Sequence, residues 1–231
     1  NRQKRGILRK KREGQSMKEK IGQVFSIAAE NAPVSGCTIS KQIAEKPAVT
    51  YFSLAKGTDI SAEIYGYHKL ILVCSGSIEV YFEKTVLALE EGAGILTQTD
   101  IPVGVRAVSD AVYTEILIRR TDKMNANLNA GEVFKLAELV PYGEGKIVNM
   151  DLVHNEKMKF VIMAFDAGTG LSEHAAPGEA LVFALDGEGI IGYEGVEHKI
   201  HADETFCFAK GGKHSVKAEG RFKMALLLVL E

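Results

Sequence analysis

The sequence contains few cysteines, no long apolar run and no excess of charge of one sign. Its three cysteines, Cys37, Cys74 and Cys207, lie far apart and form no Cys-x-x-Cys pair, which argues against a disulfide framework and favours buried thiols in a reducing compartment. No apolar run reaches the roughly 18 residues that a membrane span requires. With 28 basic and 30 acidic residues, the chain as a whole gives no reason to expect nucleic acid as a partner.

The charge is nevertheless unevenly distributed. Residues 1–16 hold seven basic groups and one acidic group, so residues 17–231 carry a formal net charge of −8. We interpret residues 1–16 as a disordered or artificial tail before a start at Met17, with a basic arm for an anionic surface as the alternative. Ile7 and Leu8 are followed at once by basic residues, which is not typical of a secretory signal. We therefore predict a cytoplasmic protein.

The chain repeats itself at an offset of 111 residues. Nine identities follow this offset between residues 57 and 228, and the openings Gly22–Ala28 and Gly131–Ala137 match at an offset of 109. The polar, Asn-rich stretch 119–131 separates the two copies. We therefore predict a first domain at 17–121 and a second at 122–231. Among the identities are Gly57 and Gly168, Leu70 and Leu181, Gly76 and Gly187, and Val105 and Val216.

Each copy consists of short apolar and β-branched runs that are separated by Gly and Asp, with one short helical segment at most near its start. Such a pattern indicates an antiparallel sandwich or barrel. The last run, Phe222–Leu230, is apolar on both faces except at Lys223, so we expect it to be covered on both sides. A homodimer would provide such cover, and so would the other copy within the chain.

Two stretches of the second copy have the spacing of a known pair of motifs. Gly168 is followed after five residues by His174 and later by Gly187, and Gly211 is followed after two residues by His214. Residues 160–231 thereby resemble the cupin superfamily, small jelly-roll barrels that often hold a metal or an apolar ligand in the barrel mouth. The resemblance implies an all-β protein of two tandem cupin-type jelly-roll barrels with only short helical segments.

The resemblance also implies a candidate metal site, although the motifs are incomplete. Ala176 stands at the second His position and Ala180 at the Glu position, with Glu179 one residue early. Because Pro177-Gly178 can bulge the strand and re-aim Glu179, the candidate ligands are His174, Glu179 and His214. They would suit one divalent Zn, Fe, Mn or Ni. The alternative is a metal-free pair of histidines that lines a pocket.

In the first copy the same offset replaces the candidate ligands. Glu63 stands for His174, Lys69 for Ala180, and Val103 for His214. We expect no functional metal there. Glu63 and Lys69 could form a buried ion pair, and Glu63 with His68 could hold an adventitious ion.

Alternation along the strands of the second copy predicts a small-molecule pocket. The expected wall consists of Ala180, Val182, Ala184, Val216 and Met224, with the two histidines as polar anchors. Three functions remain open: a metal-dependent cupin such as a dioxygenase or isomerase, a metal-free binding or sensing module, and a structural bicupin. No nucleophile–base pair or phosphate loop is present, so catalytic residues and a reaction cannot be named from the sequence.

Overall fold

The computed structural model describes residues 17–230, and the predicted tail at residues 1–16 lies outside the described residues. The first part of the chain contains a single α-helix, α1, of four residues. Its bounds and those of the strands are β1 Val24–Phe25, α1 Ile27–Glu30, β2 Thr38–Glu45, β3 Ala48–Leu54, β4 Asp59–Ile64, β5 His68–Ser75, β6 Ser77–Phe82, β7 Thr85–Glu90, β8 Ala93–Leu96, β9 Pro102–Ala107 and β10 Ala111–Ile118.

The rest of the chain continues with strands and one 3-10 helix at Leu136–Glu138. The all-β prediction with short helical segments is therefore confirmed for residues 17–230. The remaining strands are β11 Lys123–Met124, β12 Val133–Lys135, β13 Ile147–Asn155, β14 Met158–Phe165, β15 Gly170–Ala175, β16 Glu179–Tyr193, β17 Val196–His201, β18 Thr205–Phe208, β19 Lys213–Lys217 and β20 Phe222–Val229.

The strands form a six-stranded, a four-stranded and a ten-stranded sheet. The first has the order β12-β8-β5-β10-β3-β2 and the second β4-β9-β6-β7. In the third, the path β1-β18-β16-β20-β14-β13-β11 is joined by β17, β19 and β15. The second half has two layers, and the long strand β16 belongs to both. Its beginning pairs with β18 and β20 in one layer, and its end pairs with β17 and β19 in the other. All pairings between these strands are antiparallel.

The strand registers repeat with the offset seen in the sequence. Strands β4 and β9 align Glu63 with Val103, and β15 and β19 align His174 with His214, with a bulge in the same place in both pairs. The turn glycines repeat as well. Gly76 and Gly187 both have φ +73°, and an added Cβ on either would lie 2.0 Å from a backbone oxygen. Only glycine combines this conformation with such a close approach.

The two halves exchange their opening strands. Strand β1, at the start of the first half, pairs with β18 of the second, and β12, at the start of the second half, pairs with β8 of the first. One large apolar cluster contains buried side chains from both halves, among them Leu72, Ile116 and Phe183. Strand β20 is covered on both faces, as its sequence predicts, because Leu227 joins this cluster and Met224 joins the core of the second half.

The exchanged strand β1 provides the first testable prediction. Phe25 is 6% exposed and is part of the apolar cluster shared by the two halves. Phe25→Ala should lower the free energy of unfolding by about 3 kcal/mol, because it leaves a cavity at the junction. Ile21→Ala, at a side chain that is 41% exposed, should cost less than about 0.5 kcal/mol. Denaturant titrations measure both, and equal losses would contradict a packing role for β1.

Candidate functional site

The second half contains a cavity of about 220 Å³ between its two layers. Its walls are mostly apolar, and its polar lining residues are His174, His214, Asn149 and Lys159. The cavity is therefore an apolar space with a few polar groups, as is usual for a small-molecule site. The apolar lining residues are Val161, Met163, Leu171, Ala176, Pro177, Ala180, Phe208, Val216, Met224, Leu226 and Leu228.

The two histidines of the predicted site lie directly opposite each other on β15 and β19. Their ring centroids are 4.2 Å apart, and the planes are inclined by 54°. The ring of His214 also stacks on Phe208, with 4.2 Å between centroids and 26° between planes. His214 is buried, with 7% of its surface exposed, whereas His174 is exposed. The pair thus reaches from the cavity wall towards solvent.

Backbone carbonyls hold one nitrogen of each imidazole. Nδ1 of His174 lies 2.9 Å from the carbonyl oxygen of Ser172, and Nδ1 of His214 lies 3.2 Å from that of Gly212. Because a carbonyl only accepts hydrogen bonds, each Nδ1 carries a hydrogen and donates it. In the neutral ring Nε2 is then an acceptor. Burial lowers the pKa of His214 below its usual 6.5, and the nearby His174 lowers it further, against the effect of the Gly212 carbonyl.

Glu179 does not join the histidine pair. Its Oε2 accepts a hydrogen bond of 2.6 Å from the backbone N–H of Met17. Strand β16 pairs regularly with β20 from Glu179 to Ala184, so Pro177-Gly178 does not re-aim the carboxylate. Ala180 lines the cavity, and its neighbour therefore faces the junction between the halves. The expectation that Glu179 completes a ligand set is wrong for this reason.

The predicted pocket wall is partly in place. Ala180, Val216 and Met224 line the cavity, whereas Val182 and Ala184 are packed in the core next to it. Alternation along β20 could also have revealed Leu226 and Leu228, which follow Met224 at every second residue. Phe208 and Lys159 gave no such signal, because their places depend on strand pairings that the sequence does not display.

The first half uses the equivalent positions for a network of exposed and partly buried polar side chains. Nζ of Lys69 lies 3.4 Å from Oε2 of Glu115 and 3.9 Å from the ring centre of Tyr65. Tyr65 in turn donates its hydroxyl hydrogen to the carboxylate of Glu63. The predicted pair of Glu63 with Lys69 is therefore wrong, because Glu115 holds the lysine. Burial raises the pKa of Glu115, and the lysine opposes that rise.

His68 does not form an ion site with Glu63. Its Nδ1 lies 2.7 Å from the carbonyl oxygen of Thr97, directly after the end of β8. Val103 faces Glu63 across β4 and β9, where the second half has its two histidines. Val103 at the position of His214 removes an imidazole, and valine offers no atom that could bind a metal in its place.

Two aromatic rings occupy the interior of the first half. Phe52 and Tyr113 are paired across β3 and β10, and their rings stack with centroids 5.0 Å apart. The equivalent pair in the second half is Met163 and Met224, and both line the cavity. In the second half the flexible methionine side chains leave space for the cavity. In the first half the two stacked rings fill the equivalent space.

Comparison with known proteins agrees with this architecture. Residues 161–230 match the family model described as Cupin domain. Residues 161–230 therefore form a cupin domain. Among curated proteins, no sequence matches it. Within residues 17–230 no helix could span a membrane.

Several solved structures resemble the chain over most of its length. A Cupin 2 conserved barrel domain protein from Leptotrichia buccalis is 28% identical with a TM-score of 0.81, covering 92% of this chain and 99% of that chain. Salicylate 1,2-dioxygenase from Pseudoaminobacter salicylatoxidans, in an adduct with gentisate, is 12% identical with a TM-score of 0.63, covering 90% and 80%. Protein Ylba from E. coli is 13% identical with a TM-score of 0.57, covering 89% of each chain. The last two show the fold alone.

The residues of the site do not fit the predicted resident metal. Within residues 17–230, no three His, Cys, Asp or Glu side chains lie close enough together to hold an ion. The two imidazoles are oriented by backbone carbonyls, as metal ligands often are. However, protein metal sites of the catalytic type use three protein ligands, and the carboxylate expected as the third faces away.

The lowered pKa of His214 predicts how stability depends on pH. The neutral ring is favoured in the folded state, so protonation favours unfolding. Stability should fall as the pH drops below about 6.5, the ordinary value. His214→Gln should remove this part of the loss, whereas His154→Gln, at an exposed position, should keep it. Denaturant titrations between pH 8 and 5 test this, and a steeper loss in His214→Gln would contradict it.

Proposed function

We propose that this cupin binds a small, mostly apolar molecule that carries a hydroxyl group, and that it does so without a metal. In this proposal the domains are those predicted, 17–121 and 122–231, with the site in the second and a structural role for the first. The observation that carries the proposal is the histidine pair on the wall of the apolar cavity. The first half already covers β20, so a homodimer is not needed for this purpose.

The volume of the cavity supports a ligand of one ring with few substituents. Benzene occupies an apolar protein cavity of about 150 Å³, and this cavity measures about 220 Å³. The apolar part of its wall consists of aliphatic side chains, two methionines and the ring of Phe208. Such a wall favours an apolar or aromatic body and gives little to hold a sugar or a nucleotide.

The hydroxyl group of the proposed ligand is inferred from the hydrogen-bonding state of His214. With Nδ1 donating to a carbonyl and a pKa lowered by burial, neutral His214 offers Nε2 as an acceptor. A ligand O–H at this point would form one hydrogen bond, worth about 1 kcal/mol, whereas a carboxylate would require the ring to be protonated first.

The structural relatives provide the first compounds to test. Salicylate 1,2-dioxygenase, in its adduct with gentisate, shares the fold at 12% identity, and both names denote ring compounds with hydroxyl groups. No dioxygenase or isomerase step is proposed for this chain, because its donor set does not match the metal centre that the resemblance implies.

Phenol and benzene distinguish hydrogen bonding from simple filling of the cavity. Phenol should bind more tightly than benzene, and His214→Phe should reduce this preference about fivefold, since one hydrogen bond is worth about 1 kcal/mol. The preference should also weaken as the pH falls through the lowered pKa of His214, because the protonated ring cannot accept. Isothermal titration calorimetry measures these affinities.

Two control variants test whether the effect is specific to the position of His214 and whether the site lies in the second half. His201→Phe makes the same change at an exposed histidine that contacts Glu188 and Glu204, and Glu63→Gln alters the equivalent of His174. Neither should change phenol binding. Loss of binding in Glu63→Gln but not in His214→Phe would move the site to the first half, and equal affinities for phenol and benzene would end the proposal.

A further inference from the structure

We propose that Lys159 binds a negatively charged group at the far side of the cavity, so that the ligand is an elongated hydroxy acid. This inference rests on the proposed function, since it takes the hydroxyl to be held by His174 and His214. It adds a second anchor and therefore a direction along which the ligand must lie.

Strand pairing places the two anchors on opposite sides of the cavity. Phe208 pairs with Ala180, Ala180 with Leu228, and Leu228 with Lys159, across four adjacent strands. Neighbouring strands lie about 4.8 Å apart, so the backbones of Phe208 and Lys159 are separated by about 14 Å. The ring of His214 stacks on Phe208, at the end of this row that is remote from Lys159.

The space between the anchors is apolar. Ala180 and Leu228 form the middle of the row, and Leu226 and Val161 form the next row inwards. A ring that lies along this row would contact hydrocarbon over its length. A hydroxyl and a carboxylate in para positions have the largest separation that a single ring allows, whereas ortho groups lie side by side.

Lys159 has donors left for a ligand. Its Nζ lies 3.1 Å from Oδ1 of Asp151, and both side chains are almost half exposed. A lysine ammonium has three donors, and this contact uses one. Among the cavity-lining residues within 17–230, Lys159 is the one lysine, and none carries a carboxylate. An anion at this point therefore competes with Asp151 alone.

The first half shows that the fold does not require this cation. The position equivalent to Lys159 is Ala48, and the position equivalent to Leu226 is Glu115. The lysine of the first half, Lys69, is held by that carboxylate within the network described above. A lysine that lines the apolar cavity is thus specific to the second half.

Positional isomers of one compound test the inference on the full chain. 4-Hydroxybenzoate should bind about three- to tenfold more tightly than phenol and than 2-hydroxybenzoate, a gain typical of a charge-assisted hydrogen bond at a half-exposed group. Lys159→Met and Lys159→Gln should both reduce the affinity ratio of 4-hydroxybenzoate to phenol to about one. Asp151→Asn should increase that ratio, because it removes the competing acceptor. Lys157→Met, at an exposed lysine in the adjoining turn, should leave the ratio unchanged.

The outcomes separate this inference from the proposed function. A ratio near one in the unaltered protein, or a ratio that survives both Lys159 substitutions, would overturn the role of Lys159 while phenol binding remains. Absence of phenol binding, or phenol binding that His214→Phe does not weaken, would overturn the proposed function itself. A preference for 2-hydroxybenzoate over the 4-isomer would contradict the direction assigned to the ligand.

Discussion

The alternation of side chains along the beginning of β16 determines both the pocket and the junction between the halves. Ala180, at an even position, lines the cavity, whereas Leu181 and Phe183, at odd positions, belong to the apolar cluster that joins the halves. A shift by one residue would exchange the two faces completely. The packing of the junction therefore fixes the register, and the register keeps the carboxylate of Glu179 out of the pocket.

The two halves share strand order and register but differ in what fills them. The first is filled by a stacked aromatic pair and by a network around Lys69 and Glu115. The second has two methionines, small or aliphatic walls and the histidine pair. A partly buried ion pair gives little net stability compared with apolar packing. The network includes Glu63, which stands where the second half has His174, and this difference agrees with the proposal that the ligand site lies in the second half.

The sequence was sufficient for those features that depend on local pattern or on the repeat. The 111-residue offset predicted that the two halves share one strand pattern, and the motif spacing predicted that His174 and His214 lie together on a pocket wall. It could not predict that Lys69 pairs with Glu115, because the choice between two carboxylates depends on which strand lies next to β5. The predicted orientation of Glu179 was wrong for a similar reason, since Pro177-Gly178 permits a bulge in the strand without requiring one. Lys159 lines the cavity because four strands pair side by side. The sequence of any one strand does not show this pairing.

The proposed binding requires that His214 is a neutral ring that presents Nε2 as an acceptor to the ligand. Long-range ¹H–¹⁵N correlation spectra of the imidazoles at pH 7.5, recorded with and without phenol, test this claim most directly. The account predicts that Nδ1 carries the hydrogen in both rings, and that phenol shifts the Nε2 resonance of His214. A hydrogen on Nε2 of His214 in the free protein, or an Nε2 resonance that phenol leaves in place, would contradict it.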